Sequence, residues 1–123
     1  MDLIQEYFAL ATSVASFCGY DKKLVAEYNQ KVTRMRDIAV KIERNNDELK
    51  NAFCELLFCG DKAICLWVSH HILEVMNCEQ SYRKIALRTI RKKSKTDKTV
   101  NGFGEKVWLK EWYKSHPKDR WVI

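Results

Sequence analysis

Apolar residues recur at every third or fourth position through the first half of the chain, which is the spacing of one buried face on an α-helix. The first such stripe covers residues 3–17 and the second covers residues 24–42. A third, shorter stripe covers residues 49–57. Polar residues separate the three stripes, so the pattern predicts three helices joined by short turns.

The second half of the chain predicts three more helices. Residues 62–76 are apolar on nearly every side at first, which is typical of a helix covered by several neighbours, so we expect this helix to be central. A fifth helix is expected from about residue 78 to 93, and a sixth from about 104 to 115. The sixth should stop before Pro117, because proline disfavours helix at the residue that precedes it.

Six helices with short connections predict an all-α fold in one domain over residues 1–123, with 116–123 as a C-terminal tail. Two arrangements fit the pattern: antiparallel hairpins in a curved stack, or an irregular helical bundle. Only four glycines and one proline occur in 123 residues, too few for the turns of a many-stranded sheet. The polar, glycine-ended segment 94–102 is expected to be the longest and most mobile loop.

Targeting signals are missing from the pattern. No stretch reaches the roughly 20 uncharged apolar residues that cross a bilayer. The opening "MDLIQEYFAL" has acidic residues where a secretory signal peptide is basic. We therefore expect a cytoplasmic protein that does not associate with a membrane.

The stretch "LKNAFCELLFCGDKAICLWVSHHILEVM", residues 49–76, reads as a helix, a tight Gly-Asp turn and a nearly all-apolar second helix. It resembles a unit of HEAT or armadillo proteins, in which an acidic residue at the turn caps a second helix that lies between neighbours. The segment "GFGEKVWLKEW" is similar to the closing helix of a small bacterial HEAT-like family of unknown function, with the pattern G-F-x-A-x-x-x-L-x-x-W. Glu105 stands where this pattern has a small residue. Four positions fit it: Gly102, Phe103, Leu109 and Trp112.

This resemblance covers about residues 45–115 and includes no catalytic motif. It implies a curved stack of helical hairpins. Several members of such helical families look like immunity proteins, which neutralise toxins delivered by neighbouring bacteria in contact-dependent growth inhibition. The resemblance therefore implies a protein that acts by binding another protein.

The adjacent residues His70 and His71 are candidates for a metal or catalytic site. Neighbouring residues on a helix point about 100° apart, so these two cannot ligate one metal as a pair four residues apart could. Glu74 lies one turn from His70 and could hydrogen-bond to it, but no nucleophile elbow flanks this helix. We expect one imidazole packed in a helix interface and the other at its rim, with no catalytic residue, and a protein that is not an enzyme.

The cysteines are odd in number, irregularly spaced and without a C-x-x-C pair, which argues against both a disulfide framework and a zinc site. We expect five reduced thiols, and neither a metal nor a cofactor. The five are Cys18, Cys54, Cys59, Cys65 and Cys78.

The positive charge is concentrated in residues 83–98, which carry eight Lys or Arg and one Asp, a net charge of +7 in a chain whose total is +6. Such a run is usually a solvated helix face, but its concentration also fits a phosphate-binding strip. Only Tyr82 could supply a nearby stacking aromatic, and its position in the stripe assigns it to the core. The candidate contacts with phosphate or an acidic partner are Arg88, Arg91, Lys92, Lys93 and Lys95.

The C-terminal segment concentrates tryptophan and lysine. Lys106, Lys110 and Lys114 step by four on the sixth helix and predict a cationic ridge, with Trp108 as an aromatic anchor in a groove shared with the central helix. Trp112 is expected in the core and His116 in solvent. The last three residues, 121–123, must either fold back or present an apolar tail to a partner.

Two functions remain. The favoured one is an immunity protein that binds a bacterial toxin stoichiometrically, the toxin being a nuclease, and the alternative is a basic accessory protein that binds nucleic acid. Nucleases tend to be basic, which would favour an acidic inhibitor. The contact therefore either uses an acidic surface of the toxin or involves local acids, namely Glu43, Asp47 and Glu48.

Overall fold

Six α-helices and two short 3₁₀ helices account for most of residues 2–17 and 21–121, the part of the chain that the computed structural model describes. No strand occurs among these residues, so the all-α prediction with six helices packed on one another is confirmed. The 3₁₀ helices are Glu55–Phe58 and Pro117–Trp121. The α-helices are α1 (Leu3–Ala15), α2 (Lys22–Glu43), α3 (Asp47–Cys54), α4 (Lys62–Glu74), α5 (Gln80–Thr96) and α6 (Val100–Ser115).

Five of the six helices begin at a short polar side chain that accepts a hydrogen bond from a backbone N–H of the first turn, which satisfies donors that have no partner within the helix. At the start of α4, Asp61 accepts from Ala63 and Ile64, as predicted for the acidic residue at that turn. Gly60 precedes it with φ +87°, a conformation that glycine adopts without strain. The five caps are Asp2, Asp21, Asn46, Asp61 and Thr99.

Consecutive helices pack against one another, and α1 also packs against α4. As a result α4 contacts α1, α3 and α5, which confirms it as the central helix. One cluster of buried side chains runs through all six helices, and α6 contributes Leu109 to it. The largest fully buried side chains are Tyr7, Met35, Ile38, Ile42, Phe53, Ile64, Ile72, Leu87 and Ile90.

The prediction of a long loop over residues 94–102 was wrong, because only residues 97–99 separate α5 from α6. Ser94 and Thr96, which suggested a loop, donate their hydroxyls to backbone carbonyls one turn earlier and continue α5. Asp97 then pairs with Lys93 at 2.7 Å and accepts from the backbone of Thr99 at 2.8 Å. The result is a three-residue turn.

Gly102 makes this turn possible. A Cβ on residue 102 would lie 1.9 Å from the carbonyl oxygen of Asp97, so no larger residue fits without a backbone shift. The first turn of α6 therefore passes directly against the end of α5. This contact gives a physical role to one of the four positions that fit the family pattern.

The stripe of α2 is buried along only part of its length. Leu24 was expected to face inward but is 45% exposed, whereas Met35 and Ile42 are fully buried. Periodicity predicts the direction in which a side chain points, but not how far a neighbouring helix extends alongside it. Of the helices in the described residues, none is both long and apolar enough to cross a bilayer.

Candidate partner-binding surface

The helix α6 exposes a row of apolar side chains in its first half. Val100 is 82% exposed, Phe103 67% and Val107 46%. These residues are three and four positions apart, so they lie on one side of the helix, away from the buried Leu109. This surface was not predicted from the sequence, although the spacing of the three residues was a usable signal.

The three lysines predicted as a ridge are all exposed and continue the same side of α6. Lys110 follows Phe103 by seven residues and Lys114 follows Val107 by seven, which is close to two full turns. Lys114 pairs with Glu111 at 3.0 Å, whereas Lys106 and Lys110 make no salt bridge or side-chain hydrogen bond within the described chain. We call this surface the α6 outer face; its members are Val100, Phe103, Lys106, Val107, Lys110 and Lys114.

Trp108 lies on a different side of α6 from this face. Its ring meets the edge of His70 with centroids 4.5 Å apart and stacks on Trp112 at 5.0 Å. The indole is only partly exposed and packs against the core. The exposed aromatic residue beside the lysines is therefore Phe103, and Trp108 positions α6 against α4.

His70 also joins α4 to α6. Its Nδ1 is 3.1 Å from Oε2 of Glu74, and its Nε2 is 2.7 Å from Oε2 of Glu105. Burial alone would lower the pKa of His70, but the two carboxylates outweigh it and raise the pKa to about 9. Glu105, which departs from the family pattern, thus pairs with a charged imidazole in the helix interface.

His71 points the other way, into the interface with α1. Its Nδ1 lies 2.6 Å from the hydroxyl oxygen of Tyr7, and the two groups share one buried hydrogen bond. Burial lowers the pKa of His71 to about 4 and raises that of Tyr7, so both are neutral near pH 7. The predicted division into a packed and a rim imidazole therefore corresponds to His71 and His70.

The basic strip on α5 is partly occupied by contacts within the chain. Arg91 donates to the Tyr113 hydroxyl at 2.7 Å and to the backbone carbonyl of Asp119. Lys93 pairs with Asp97. Of the other predicted contacts, Arg88, Lys92 and Lys95 are exposed.

The segment after α6 folds back onto the helix. His116, expected in solvent, stacks on Trp112 with ring centroids 3.7 Å apart, and Trp112 donates from Nε1 to Asp119 at 2.8 Å. Trp121 ends the second 3₁₀ helix and is 79% exposed. Val122 and Ile123, the rest of the predicted apolar tail, lie outside the described residues.

The four cysteines in the described ranges are free thiols, and Cys18 lies outside those ranges. In the same ranges, no group of three or more His, Cys, Asp or Glu side chains is arranged to hold a metal ion. Every buried side-chain nitrogen or oxygen that the structure describes has a hydrogen-bond partner.

No family model, curated protein or solved structure matches this chain.

Proposed function

We propose that this protein is an immunity protein that neutralises a bacterial toxin by stoichiometric binding, and that the α6 outer face is its contact surface. The observation that supports this most directly is the exposure of Val100, Phe103 and Val107 beside two unpaired lysines. An exposed aromatic residue among aliphatic side chains is typical of the centre of a protein interface, and the lysines beside it would lie at the charged rim.

The rigidity of α6 also favours binding. The helix is held by the close contact of Gly102 with α5, by the His70–Glu105 pair and by the stacked rings of Trp108 and Trp112. A surface that is already ordered loses little conformational entropy when a partner docks.

The partner surface inferred from this chemistry is acidic with an apolar pocket. Lys106 and Lys110 would meet carboxylates, and Phe103 would fill the pocket. A toxin that cuts nucleic acid would in this proposal be bound at an acidic surface rather than at its phosphate-binding groove. Glu43 does not favour the opposite arrangement, because it already pairs with Lys50 at 3.2 Å and accepts from the backbone of Asn77.

The test requires a toxin domain encoded by a gene beside this one, and it measures the binding of that domain to wild-type and variant proteins by isothermal titration calorimetry. Lys106→Glu combined with Lys110→Glu should raise the Kd at least about tenfold, or roughly 1.4 kcal/mol. Phe103→Ala should weaken binding by a comparable factor or more, because it removes the aromatic anchor. Circular dichroism should show the helical content unchanged, since these side chains are exposed.

Two matched controls locate the contact. Phe58→Ala removes a phenylalanine that is 58% exposed on the first 3₁₀ helix, and it should leave the Kd unchanged. Asp47→Lys with Glu48→Lys reverses exposed charge at the start of α3. If this pair abolished binding while the α6 variants bound normally, the contact would lie on α3 and the proposed surface would be wrong.

The nucleic-acid alternative predicts a different result. Sub-micromolar binding of RNA or DNA at physiological salt, lost in Lys92→Glu with Lys95→Glu, would favour it over the immunity function. The test changes these two exposed lysines and leaves Arg91 intact, because Arg91 donates hydrogen bonds to Tyr113 and Asp119 within the chain.

A further inference from the structure

Three sulfur atoms converge where α3 meets the connection between α4 and α5. The thiol sulfurs of Cys54 and Cys78 are 3.2 Å apart, and the Cys78 sulfur lies 3.9 Å from the thioether sulfur of Met76. Exposure is 0% for Cys54, 4% for Met76 and 9% for Cys78. The three therefore form one buried sulfur cluster.

The backbone that carries two of these sulfurs is held from three helices. Arg83 of α5 donates to the carbonyl of Met76 at 3.3 Å. Glu43 of α2 accepts from the N–H of Asn77 at 3.1 Å, and Lys50 of α3 donates to the Asn77 carbonyl at 3.4 Å. These contacts hold the backbone of Met76 and Asn77 and so position the segment that carries Met76 and Cys78 beside Cys54.

We propose that the sulfur cluster of Cys54, Met76 and Cys78 binds a soft monovalent metal ion, copper(I). Thiolate and thioether sulfurs are the ligands that select copper(I). Structural zinc sites are almost always four-coordinate, and the cluster offers three ligands without oxygen or nitrogen donors, which disfavours zinc.

Charge supports binding of a cation between the two thiols. Binding releases both thiol protons to solvent and leaves two thiolates with one copper(I), a net charge of −1 near Lys50 and Arg83. Without a cation between them, two thiolates this close would repel each other.

A second pair of cysteines provides an internal control. The sulfurs of Cys59 and Cys65 are 3.9 Å apart, and the other hydrogen bonds of this pair within the described chain go to backbone carbonyls, including Cys65 to Leu57 at 3.1 Å. This pair is more exposed, and no thioether is among its hydrogen-bond partners in the described residues. It therefore tests whether any two neighbouring thiols suffice.

The experiment titrates copper(I) into the full chain in competition with a coloured copper(I) chelator. A phosphine keeps the thiols reduced, and oxygen is excluded. We expect about one copper(I) per chain and an ultraviolet thiolate-to-copper charge-transfer band. Cys78→Ser should lower the affinity at least about tenfold, and Met76→Leu, which keeps the side-chain volume, should lower it to a smaller degree. Cys59→Ser with Cys65→Ser should leave it unchanged.

Three results would overturn the proposal. Copper could remain bound in the Cys54→Ala, Cys78→Ala variant and be lost in the Cys59→Ser, Cys65→Ser variant. Zinc could displace copper(I) stoichiometrically from the wild-type chain. The reduced chain could also fail to compete with the chelator while air oxidation joins Cys54 to Cys78, which would identify the pair as a disulfide-forming one. If a cysteine variant fails to fold, Met76→Leu still tests the cluster, because it removes a sulfur ligand and keeps the side-chain volume.

Discussion

Two adjacent histidines on different sides of α4 differ in charge, one being neutral and the other protonated. On the side of α1, His71 is neutral and shares a hydrogen bond with Tyr7, and its pKa is lowered to about 4. On the side of α6, His70 lies between Glu74 and Glu105 and its pKa is raised to about 9. The side-chain type and the helix are the same, so the surroundings decide the charge: burial keeps His71 neutral, whereas Glu74 of α4 and Glu105 of α6 keep His70 protonated despite its burial.

The difference shows how one helix can form two kinds of interface. The contact with α1 includes one buried hydrogen bond between two neutral side chains, whereas the contact with α6 includes the ion pair of His70 with Glu105 beside the rings of His70 and Trp108. The two contacts respond to pH in opposite directions. We therefore expect the folded state to be most stable near pH 6.5, because the contribution of His71 falls below that pH and the contribution of His70 falls between pH 6.5 and pH 9.

The largest effect is expected from acid. Between pH 6.5 and pH 4 the unfolded chain binds a proton at residue 71 more readily than the folded chain, so stability is complete above pH 6.5 and falls as the pH approaches 4. From pH 7 to pH 4 the free energy of unfolding should fall by about 3 kcal/mol because of His71 alone. Urea unfolding followed by circular dichroism at the two pH values measures it.

The matched variant for this test is His71→Gln, whose side chain does not titrate. It should be less stable than wild type at pH 7 but should lose about 3 kcal/mol less on acidification. Equal losses in the two proteins would show that residue 71 does not carry the acid response.

A smaller effect is expected from Tyr7→Phe, which keeps the ring against Phe53 and removes only the hydroxyl. The Nδ1 of His71 then loses its buried partner, at a cost of about 2 kcal/mol in the free energy of unfolding. Tyr82→Phe is the control, because it removes a hydroxyl that donates to Glu55 at 2.9 Å in a more exposed position. If Tyr82→Phe lowered the free energy of unfolding as much as Tyr7→Phe, burial of the Tyr7 hydroxyl would not explain the effect.

The smallest effect is expected from Glu105→Gln on the other side of α4. It leaves His70 with one carboxylate, so the unfolding free energy at pH 7 should fall by about 1 kcal/mol and the pKa of His70 should drop. The stability that His70 contributes is complete below pH 6.5 and is lost as the pH rises through 9, and in the variant this loss should be complete at a lower pH. Proton NMR of the imidazole follows the titration, and Glu111→Gln on the exposed side of α6 should change neither quantity.

Helical spacing alone was enough to place the six helices and to identify α4 as the central one, because each helix buries a stripe that recurs with the helical period. It could not assign a charged His70 and a neutral His71 to different interfaces, because their partners Glu105 and Tyr7 come from helices distant in sequence. The extent of α5 and α6 was also missed. Serine and threonine there satisfy their hydroxyls within the helix, which composition does not reveal.

Helical spacing was also insufficient to predict every side chain of the candidate surface. Lys106 and Lys110 were assigned to an exposed ridge from their spacing, and their side chains are exposed. Trp108, one residue from the exposed Val107, turns inward onto His70. Which of two neighbouring aromatic or aliphatic side chains faces solvent depends on the rotation of α6 about its own axis, and the turn before the helix sets that rotation.

That turn makes the register of α6 sensitive to a change in chain length. Each residue added between Asp97 and Gly102 would advance α6 by about 100° about its axis. A single insertion would carry Glu105 away from His70 and move Phe103 toward the core, while every side chain of the helix remained chemically the same. A substitution at an exposed position of α6 therefore alters one side chain, whereas a length change of one residue at residues 97–99 alters the surroundings of every side chain on the helix at once.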